Sequence, residues 1–199
     1  MPEILAVSAG LSQPSSTRLL ADRLVTATHQ ELGSIAGHDV VELREYAHDI
    51  TDHLLTGFAN ERLRPVLDRV GAADGLILVS PTFTASYSGL FKSFLDILEP
   101  EVMADKPVLL GATGGTERHS LVLEYALRPV LSYLRAHPVA TAVYAASADW
   151  GNDTDLKQRI SRAANELATR VQHSPQQYAA DPFTDPVPFE QLLHGTANS

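Results

Sequence analysis

The stretch Gly75-Leu-Ile-Leu-Val-Ser80 decides the fold class, because it is almost wholly apolar and leads directly into a polar segment, Pro81-Thr-Phe-Thr-Ala-Ser-Tyr-Ser88. A short apolar run of this kind is typical of a parallel strand that is covered on both faces. Apolar residues then recur at helical spacing through Leu90, Phe94 and Leu98. The order of strand, polar loop and helix predicts one unit of a parallel α/β sheet.

Four more strands are predicted around this one. They cover Ile4–Ser8, Asp39–Leu43, Pro107–Ala112 and Val139–Ala145. Helical spacing predicts four further helices. Their apolar positions or bounds are Leu20, Leu24 and Ala27; Leu63, Val66, Leu67 and Val70; residues 120–134; and Leu156, Ile160, Leu167 and Val171. Asn152, Asp153 or Thr154 is the expected cap of the last helix. Pro129 predicts a kink or restart inside the fourth helix. The alternation predicts an α/β fold: a doubly wound, five-stranded parallel sheet with helices on both faces.

The composition excludes several classes of protein. The formal net charge of −9 argues against binding to nucleic acid or to an anionic membrane surface. The chain has no cysteine, which excludes disulfides, thiolate nucleophiles and cysteine-ligated metal centres. No segment approaches the roughly 20 apolar residues of a membrane span, and the first residues enter a strand pattern without a charged leader, so we expect a cytoplasmic protein.

The length of 199 residues predicts a single domain with a tail. We place the domain at 1–173 and the tail at 174–199, where four of the twelve prolines fall and Lys and Arg are absent. The tail is either disordered or wraps a neighbouring subunit, and the sequence leaves both open.

Ligands of open parallel sheets bind beyond the carboxyl ends of the strands. The first such loop, residues 9–17, carries hydroxyls at Ser12, Ser15, Ser16 and Thr17 and then opens a helix. Free N–H groups and the positive dipole end of a helix bind phosphate, and hydroxyls add neutral donors, so this loop is a candidate phosphate site. Simple capping of the helix is the alternative. The loop has neither the Gly-x-Gly-x-x-Gly of dinucleotide-binding proteins nor the Gly-Lys-Ser/Thr of P-loop NTPases.

Two further strand-end loops complete the candidate site. Pro81, Thr82 and Phe83 follow the third predicted strand and are suited to a flat heterocycle, although an ordinary turn with a core aromatic would read the same way. Thr113-Gly114-Gly115 follows the fourth, where two glycines allow close approach of the backbone to a ligand or simply form a tight turn.

Together these loops resemble a known family. The serine-rich first loop, the pattern Pro81-Thr-Phe-x-x-Ser-x-x-Gly-x-x-Lys92 and the Thr-Gly-Gly segment are similar to the NAD(P)H-dependent FMN reductases of flavodoxin-like fold. The segment Gly114-Gly-Thr-Glu-Arg-His-Ser-Leu121 with Leu127-Arg-Pro129 resembles, more narrowly, the FMN reductases that accompany luciferase-like monooxygenases. The resemblance covers about residues 3–172 and implies the strand order 2-1-3-4-5.

The resemblance also implies cofactors and site residues. FMN and NADPH or NADH would be the cofactors, and reduced FMN would pass to a partner monooxygenase. The implied contacts to the FMN phosphate are Ser12, Ser15, Ser16 and Thr17, and those to the ring and ribityl chain are Pro81, Thr82, Phe83, Thr84, Ser86, Thr113, Gly114 and Gly115. No catalytic side chain is required, because the flavin accepts the hydride. Two departures are an arginine missing near Ser12, which favours an exchanging flavin, and Ser88 in place of proline.

Several assignments stay open. Arg118 is a candidate for the phosphate of NADPH or else a surface or dimer ion pair. His48 and His53, near Asp49 and Asp52, are read as part of a solvated loop rather than a metal site. Trp150 either borders the flavin or belongs to an interface.

The quaternary structure and the activity class also have alternatives. A homodimer or homotetramer is predicted from an apolar excess in the third and fourth helices, with core burial as the competing account: Leu90, Phe91, Phe94, Leu121, Tyr125 and Tyr133. The alternatives to an FMN reductase are a quinone or azo-compound reductase on the same fold, a flavodoxin-like electron carrier and a scaffold without flavin.

Overall fold

The computed structural model describes residues 2–34, 40–151 and 153–173. Within these residues, seven strands form the sheet: β1 (Ile4–Ser8), β2 (Val40–Glu42), β3 (Gly75–Phe83), β4 (Ser86–Tyr87), β5 (Pro107–Gly114), β6 (His137–Pro138) and β7 (Val143–Ala146). Seven α-helices accompany them: α1 (Ser16–Leu32), α2 (Ala47–Thr56), α3 (Arg64–Ala72), α4 (Gly89–Asp96), α5 (Pro100–Met103), α6 (Arg128–Tyr133) and α7 (Asp153–His173). Strand β3 confirms the opening expectation: its first seven residues are all buried.

The sheet confirms the doubly wound parallel class but not the count of five strands. Strands run in the order β2-β1-β3-β5-β6, all parallel, with β7 also paired to β5. Strand β4 adds a short antiparallel hairpin to the end of β3. Apart from the hairpin and the division of the last strand, the order is the expected 2-1-3-4-5.

The predicted fifth strand is divided because side chains replace the ladder in its middle. The Arg128 guanidinium donates to the carbonyl oxygens of Val139 and Ala140, each at 3.1 Å. The Glu166 carboxylate accepts from the amide of Thr141 at 2.7 Å and from its hydroxyl at 2.6 Å. The backbone groups are satisfied without a neighbouring strand, so the chain leaves the sheet between β6 and β7.

The helix predictions have mixed outcomes. Pro129 stands in the first turn of α6, directly after a π-helical segment, Leu123–Leu127, which confirms a restart. The loop interpretation of residues 48–53 is wrong, because they lie within helix α2. The second predicted strand is shorter than expected: Leu43 begins a 3-10 turn, and Asp39 lies outside the described residues, as do Asn152 and the tail.

Two apolar layers cover the sheet. Helices α1 and α7 pack on one face over Ile4, Ala6, Ile77 and Val79. The other face is covered by α2, α4 and the 123–133 region, with Phe91 and Phe94 fully buried. These two phenylalanines therefore belong to the core, as the competing account held, whereas Leu121, Tyr125 and Tyr133 remain exposed. Within the described ranges no helix is both long and apolar enough to cross a membrane.

Lys106 ties β5 to the end of α3. Its ammonium donates to the carbonyl oxygens of Val70, Gly71 and Ala73 at 2.8, 2.7 and 2.9 Å, so it satisfies the last carbonyls of that helix. Burial lowers the pKa of Lys106 to about 8, against the opposing effect of Asp74 and Glu3.

Replacing Lys106 by methionine is expected to lower the free energy of unfolding by about 2 kcal/mol at pH 7, because three carbonyls at the end of α3 lose their hydrogen-bond donor. Because the folded-state pKa lies below the ordinary value, the native protein should gain stability as the pH rises from about 8 towards 10.5, and Lys106→Met should lose this gain. Urea titrations at three pH values measure both. Lys92→Met, which breaks only the exposed pair with Asp96, is the control and should cost less than about 0.5 kcal/mol. Equal effects of the two variants would contradict the capping role.

Candidate functional site

The loops that follow β1, β3, β5 and β7 meet at the carboxyl edge of the sheet. Register places Ser8 beside Val79, Pro81 beside Thr113 and Gly114 beside Ala146. Parallel strands that end together bring these loops into one region. The three predicted segments, 12–17, 81–86 and 113–115, therefore border the same edge.

The first loop is organised around the cap of α1. The hydroxyl oxygen of Ser15 accepts from the amide of Arg18 at 3.2 Å, and Ser15 has the extended backbone of an N-cap. A side chain at Gly10 would overlap with the Ser15 hydroxyl and lie 3.1 Å from Cβ of Thr17, so it would displace the cap. Ser12 donates to the carbonyl of Pro14 at 3.1 Å, and Ser16 is exposed at the helix start. The loop thus presents an open helix N-terminus with neutral hydroxyls.

Thr17 lies below this loop rather than on it. Its side chain is buried, and its hydroxyl shares a 2.8 Å hydrogen bond with the hydroxyl of Thr113, 96 residues away in the chain. The two hydroxyls satisfy each other and join α1 to β5. Both residues are predicted to contact the cofactor, and the structure shows their hydroxyls bonded to each other.

The loop after β3 is a strained hairpin. Thr84 and Ala85 have φ values of 48° and 62°, in the left-handed region that side chains disfavour. Ser80 supports the turn, because its hydroxyl oxygen accepts from the amide of Ser88 at 2.9 Å. Phe83, at the end of β3, is 46% exposed. A strained turn that holds an aromatic side chain in solvent is a common feature of a ligand-binding edge.

Thr82 has a hydroxyl that is buried without a hydrogen-bond partner within the described part of the chain. Pro81 is buried beside it, and Ser86 on β4 is half-buried. An interaction with Thr82 opposes the rise that burial causes in the pKa of Tyr144, so the Thr82 hydroxyl lies close to the Tyr144 hydroxyl.

Gly114 and Gly115 differ in what surrounds them. A methyl group at Gly114 would overlap with the Tyr144 hydroxyl oxygen and lie 3.1 Å from Cζ, whereas at Gly115 nothing lies within 4 Å. The Tyr144 hydroxyl donates to the carbonyl of Thr116 at 2.9 Å and so holds this turn, and burial raises the pKa of Tyr144. Gly114 therefore serves internal packing, and Gly115 is the position open to a ligand.

Tyr144 is a site residue that the sequence did not single out. It lies on β7, and only the register of β7 with β5 brings its ring over Gly114. No local pattern distinguishes it from an ordinary strand tyrosine.

The cations near the edge are mostly engaged. Arg18 pairs with Asp22 and Glu42, and Arg44 pairs with Glu42. Arg118 is exposed in the 3-10 turn Glu117–His119, on the loop after β5. A phosphate at the first loop would therefore meet chiefly amides and hydroxyls.

Trp150 lies in the 3-10 turn Ser147–Trp150, which follows β7. Trp150 is half-buried against the core layer of α1 and α7. The Cζ atom of Arg23 lies over its ring, 5.1 Å from the ring centroid. Over residues 2–34, 40–151 and 153–173, no cluster of histidine, aspartate or glutamate is suited to a metal ion. Two open grooves along α7 contain none of the predicted site residues.

The edge suits an elongated ligand with a phosphate at one end and a flat ring at the other. The open N-terminus of α1 provides neutral donors for the phosphate, while Phe83, the Thr82 hydroxyl and the uncovered Gly115 border the ring position. FMN has this shape and charge. The architecture defines the fold class, which is flavodoxin-like.

Known proteins narrow the class to one family. The model of the family described as NADPH-dependent FMN reductase matches residues 2–151, and the chain belongs to this family. It is 40% identical over 172 residues to an FMN reductase (NADPH) from Pseudomonas aeruginosa, a match that covers 83% of this chain and 90% of the relative. It is 35% identical over 168 residues to the NADH-dependent FMN reductase SfnE from Pseudomonas putida, over 84% of this chain and 86% of the relative.

A solved structure of an oxidoreductase has the same fold as this chain. The chain superposes on an oxidoreductase from Corynebacterium diphtheriae with a TM-score of 0.84 and 40% identity, covering 88% of this chain and 99% of that one. The protein is accordingly an NAD(P)H:FMN oxidoreductase with FMN and a nicotinamide nucleotide as cofactors.

Proposed function

We propose that the chain reduces FMN as an exchanging substrate and releases the reduced flavin to a monooxygenase. The observation that carries this proposal is the neutral character of the first loop. Ser12, Ser15 and Ser16 offer hydroxyls, and the two nearest described guanidiniums, those of Arg18 and Arg44, pair with carboxylates. A phosphate held by neutral donors is held less tightly than one in a guanidinium fork.

The protein groups have binding and positioning roles in this proposal. FMN, when bound, supplies the hydride-accepting chemistry. The amides opening α1, with Ser15 and Ser16, hold the phosphate, and Ser12 borders it. The ring position would be bordered by the strained 83–86 hairpin, by Thr82 and by Gly115. Tyr144 fixes the turn that carries Gly115, and no side chain is required as an acid or base.

Exchange of the flavin can be tested on the purified full-length chain. After extensive desalting we expect little bound flavin, and oxidation of NADPH or NADH should then saturate with added FMN. Riboflavin, which lacks the phosphate, should show a higher KM than FMN. A stoichiometric flavin that survives desalting, with turnover independent of added FMN, would contradict the proposal and favour a quinone or azo-compound reductase.

Transfer to a monooxygenase needs its own measurement. The narrower resemblance of residues 114–121 and 127–129 supports this partner. The chain and NADPH should sustain oxygenation by a monooxygenase that uses free reduced FMN. Absence of product while FMN is being reduced would overturn the partnership but not the reductase activity.

We also propose that the chain forms a homodimer or homotetramer through the surface after β5. Leu121, Tyr125 and Tyr133 are 59, 78 and 88% exposed there, which is a large apolar area for a free surface. Sedimentation equilibrium should give a molecular mass of two or four times the 21.5 kDa of one chain. A monomer at micromolar concentration would contradict this proposal.

Arg118 is proposed to contact a phosphate of NADPH. Its exposed side chain lies on the loop that carries Gly115, and a guanidinium pairs with phosphate in a fork. Arg118→Ala should raise the KM for NADPH about fivefold with little change in kcat, since an exposed charge-assisted contact contributes about 1 kcal/mol. Arg64→Ala, on the distant helix α3, is the control. An unchanged KM for NADPH would remove the assignment.

A further inference from the structure

Glu42 occupies a position at the edge of the site that the predicted contacts did not include. It ends β2 and stands in register beside Ser8, the residue from which the first loop departs. Its side chain is only 17% exposed. A partly buried carboxylate next to a phosphate position is unexpected, because like charges repel and burial increases the effect.

The carboxylate of Glu42 engages two guanidiniums at once. One oxygen accepts from Nη1 of Arg18 at 2.9 Å and the other accepts from Nε of Arg44 at 3.1 Å. Arg18 also pairs with Asp22 at 2.8 Å through its Nε, so two carboxylates hold this one arginine.

Both guanidiniums flank the first loop. Arg18 lies in the first turn of α1, three residues after the cap Ser15. Arg44 reaches the loop itself, where its guanidinium faces the side-chain amide of Gln13. A guanidinium free at either place would be within reach of an anion bound at the start of α1.

We propose that Glu42 sets the affinity for the FMN phosphate by holding Arg18 and Arg44 in carboxylate pairs and away from the anion. The proposal rests on the proposed binding of the phosphate at the first loop. Glu42 is in this sense an affinity-determining residue that acts through the two arginines. Its physical effect is to leave amides and hydroxyls as the phosphate donors, which keeps the flavin exchangeable.

A purely structural role is the competing explanation. The same contacts join β2 to α1, so Glu42 could serve only to stabilise the fold. In that case removal of its charge would weaken the protein and would affect FMN and riboflavin equally. The two explanations differ in sign for FMN and in whether the phosphate matters.

The test is Glu42→Gln, which keeps the shape of the side chain and removes its charge. Equilibrium binding of FMN and of riboflavin is measured by flavin fluorescence on the full-length chain. We expect the Kd for FMN to fall about five- to tenfold, the gain of a charge-assisted contact to phosphate, and the Kd for riboflavin to stay the same. The gain should shrink at high ionic strength, because it comes from partly exposed charges.

Arg44→Met tests whether Arg44 provides the gain in FMN affinity. In the native background it should change the Kd for FMN less than twofold, whereas in the Glu42→Gln background it should abolish most of the gain. This native-background measurement does not depend on the folding of Glu42→Gln. A fivefold or larger loss from Arg44→Met alone would show that the guanidinium already contacts the phosphate, and would overturn the proposal.

The outcomes separate this inference from the function it rests on. If the native chain binds FMN more tightly than riboflavin and Glu42→Gln leaves that preference unchanged or reduces it, the role of Glu42 is wrong and the phosphate site stands. If the native chain binds both flavins equally, the phosphate site at the first loop is wrong, and the role of Glu42 is overturned with it.

Discussion

Replacing Ser16 by glutamate will weaken the binding of FMN about thirtyfold without destabilising the protein. Ser16 is the first residue of α1 and is exposed. A carboxylate there would face the proposed phosphate, which carries nearly two negative charges. Repulsion at about 5 Å in a partly solvated site contributes about 2 kcal/mol, which corresponds to that factor.

Ser16→Glu is not expected to lose stability, although it loses affinity for FMN. A negative charge in the first turn interacts favourably with the helix dipole, so the free energy of unfolding should stay constant or rise by about 0.5 kcal/mol. Loss of FMN binding in a protein that is as stable as the native one can only come from the site. Thermal unfolding and flavin fluorescence titrations measure the two effects.

Thr26→Glu is the matched control. Thr26 is exposed on the same helix, more than two turns from its start, so its substitution adds the same charge away from the proposed phosphate. It should leave the Kd for FMN within about twofold of the native value, because solvent and salt screen the charge over that distance. Riboflavin binding should be insensitive to both variants. Equal affinity of Ser16→Glu and the native chain for FMN would place the phosphate elsewhere.

Gly114→Ala is expected to cause the second large effect, a loss of about 3 kcal/mol in the free energy of unfolding. The added methyl group would overlap with the Tyr144 hydroxyl and lie 3.1 Å from Cζ. Tyr144 is buried between β5 and the 3-10 turn, so its ring cannot move aside, and overpacking of this kind costs about 1–3 kcal/mol. The bond from Tyr144 to Thr116 would break as well, which weakens FMN binding by displacing the turn that carries Gly115.

Gly115→Ala separates packing from ligand approach. No atom lies within 4 Å of a methyl group at this position, so the free energy of unfolding should change by less than about 1 kcal/mol. FMN binding should nevertheless weaken, because the proposed ring approaches this backbone. The double variant Gly114→Ala with Tyr144→Phe should recover about half of the lost stability, since one of the two overlapping atoms is removed. If urea denaturation showed a lower free energy of unfolding for Gly115→Ala than for Gly114→Ala, the packing argument would be contradicted.

Local sequence patterns predicted most of the fold. The apolar run of β3, the strand of β1 and the spacing in α1 and α7 are short-range features, because burial on both faces or on one helix face repeats every few residues. Helix α2 was missed because only Asp49 and Ile50 in it are buried, which leaves too few apolar positions to give a periodic signal.

The contacts that each residue makes at the carboxyl edge depend on the tertiary structure. Local patterns were enough to predict the loops that follow the strands, and the family resemblance supplied the strand order that brings them to one edge. Three contacts became visible only in the folded chain: the hydroxyls of Thr17 and Thr113 bind each other, Tyr144 fills the space beside Gly114, and Glu42 holds two arginines. These contacts join residues that are distant in the chain, and their geometry depends on sheet register and helix packing, which no local spacing encodes.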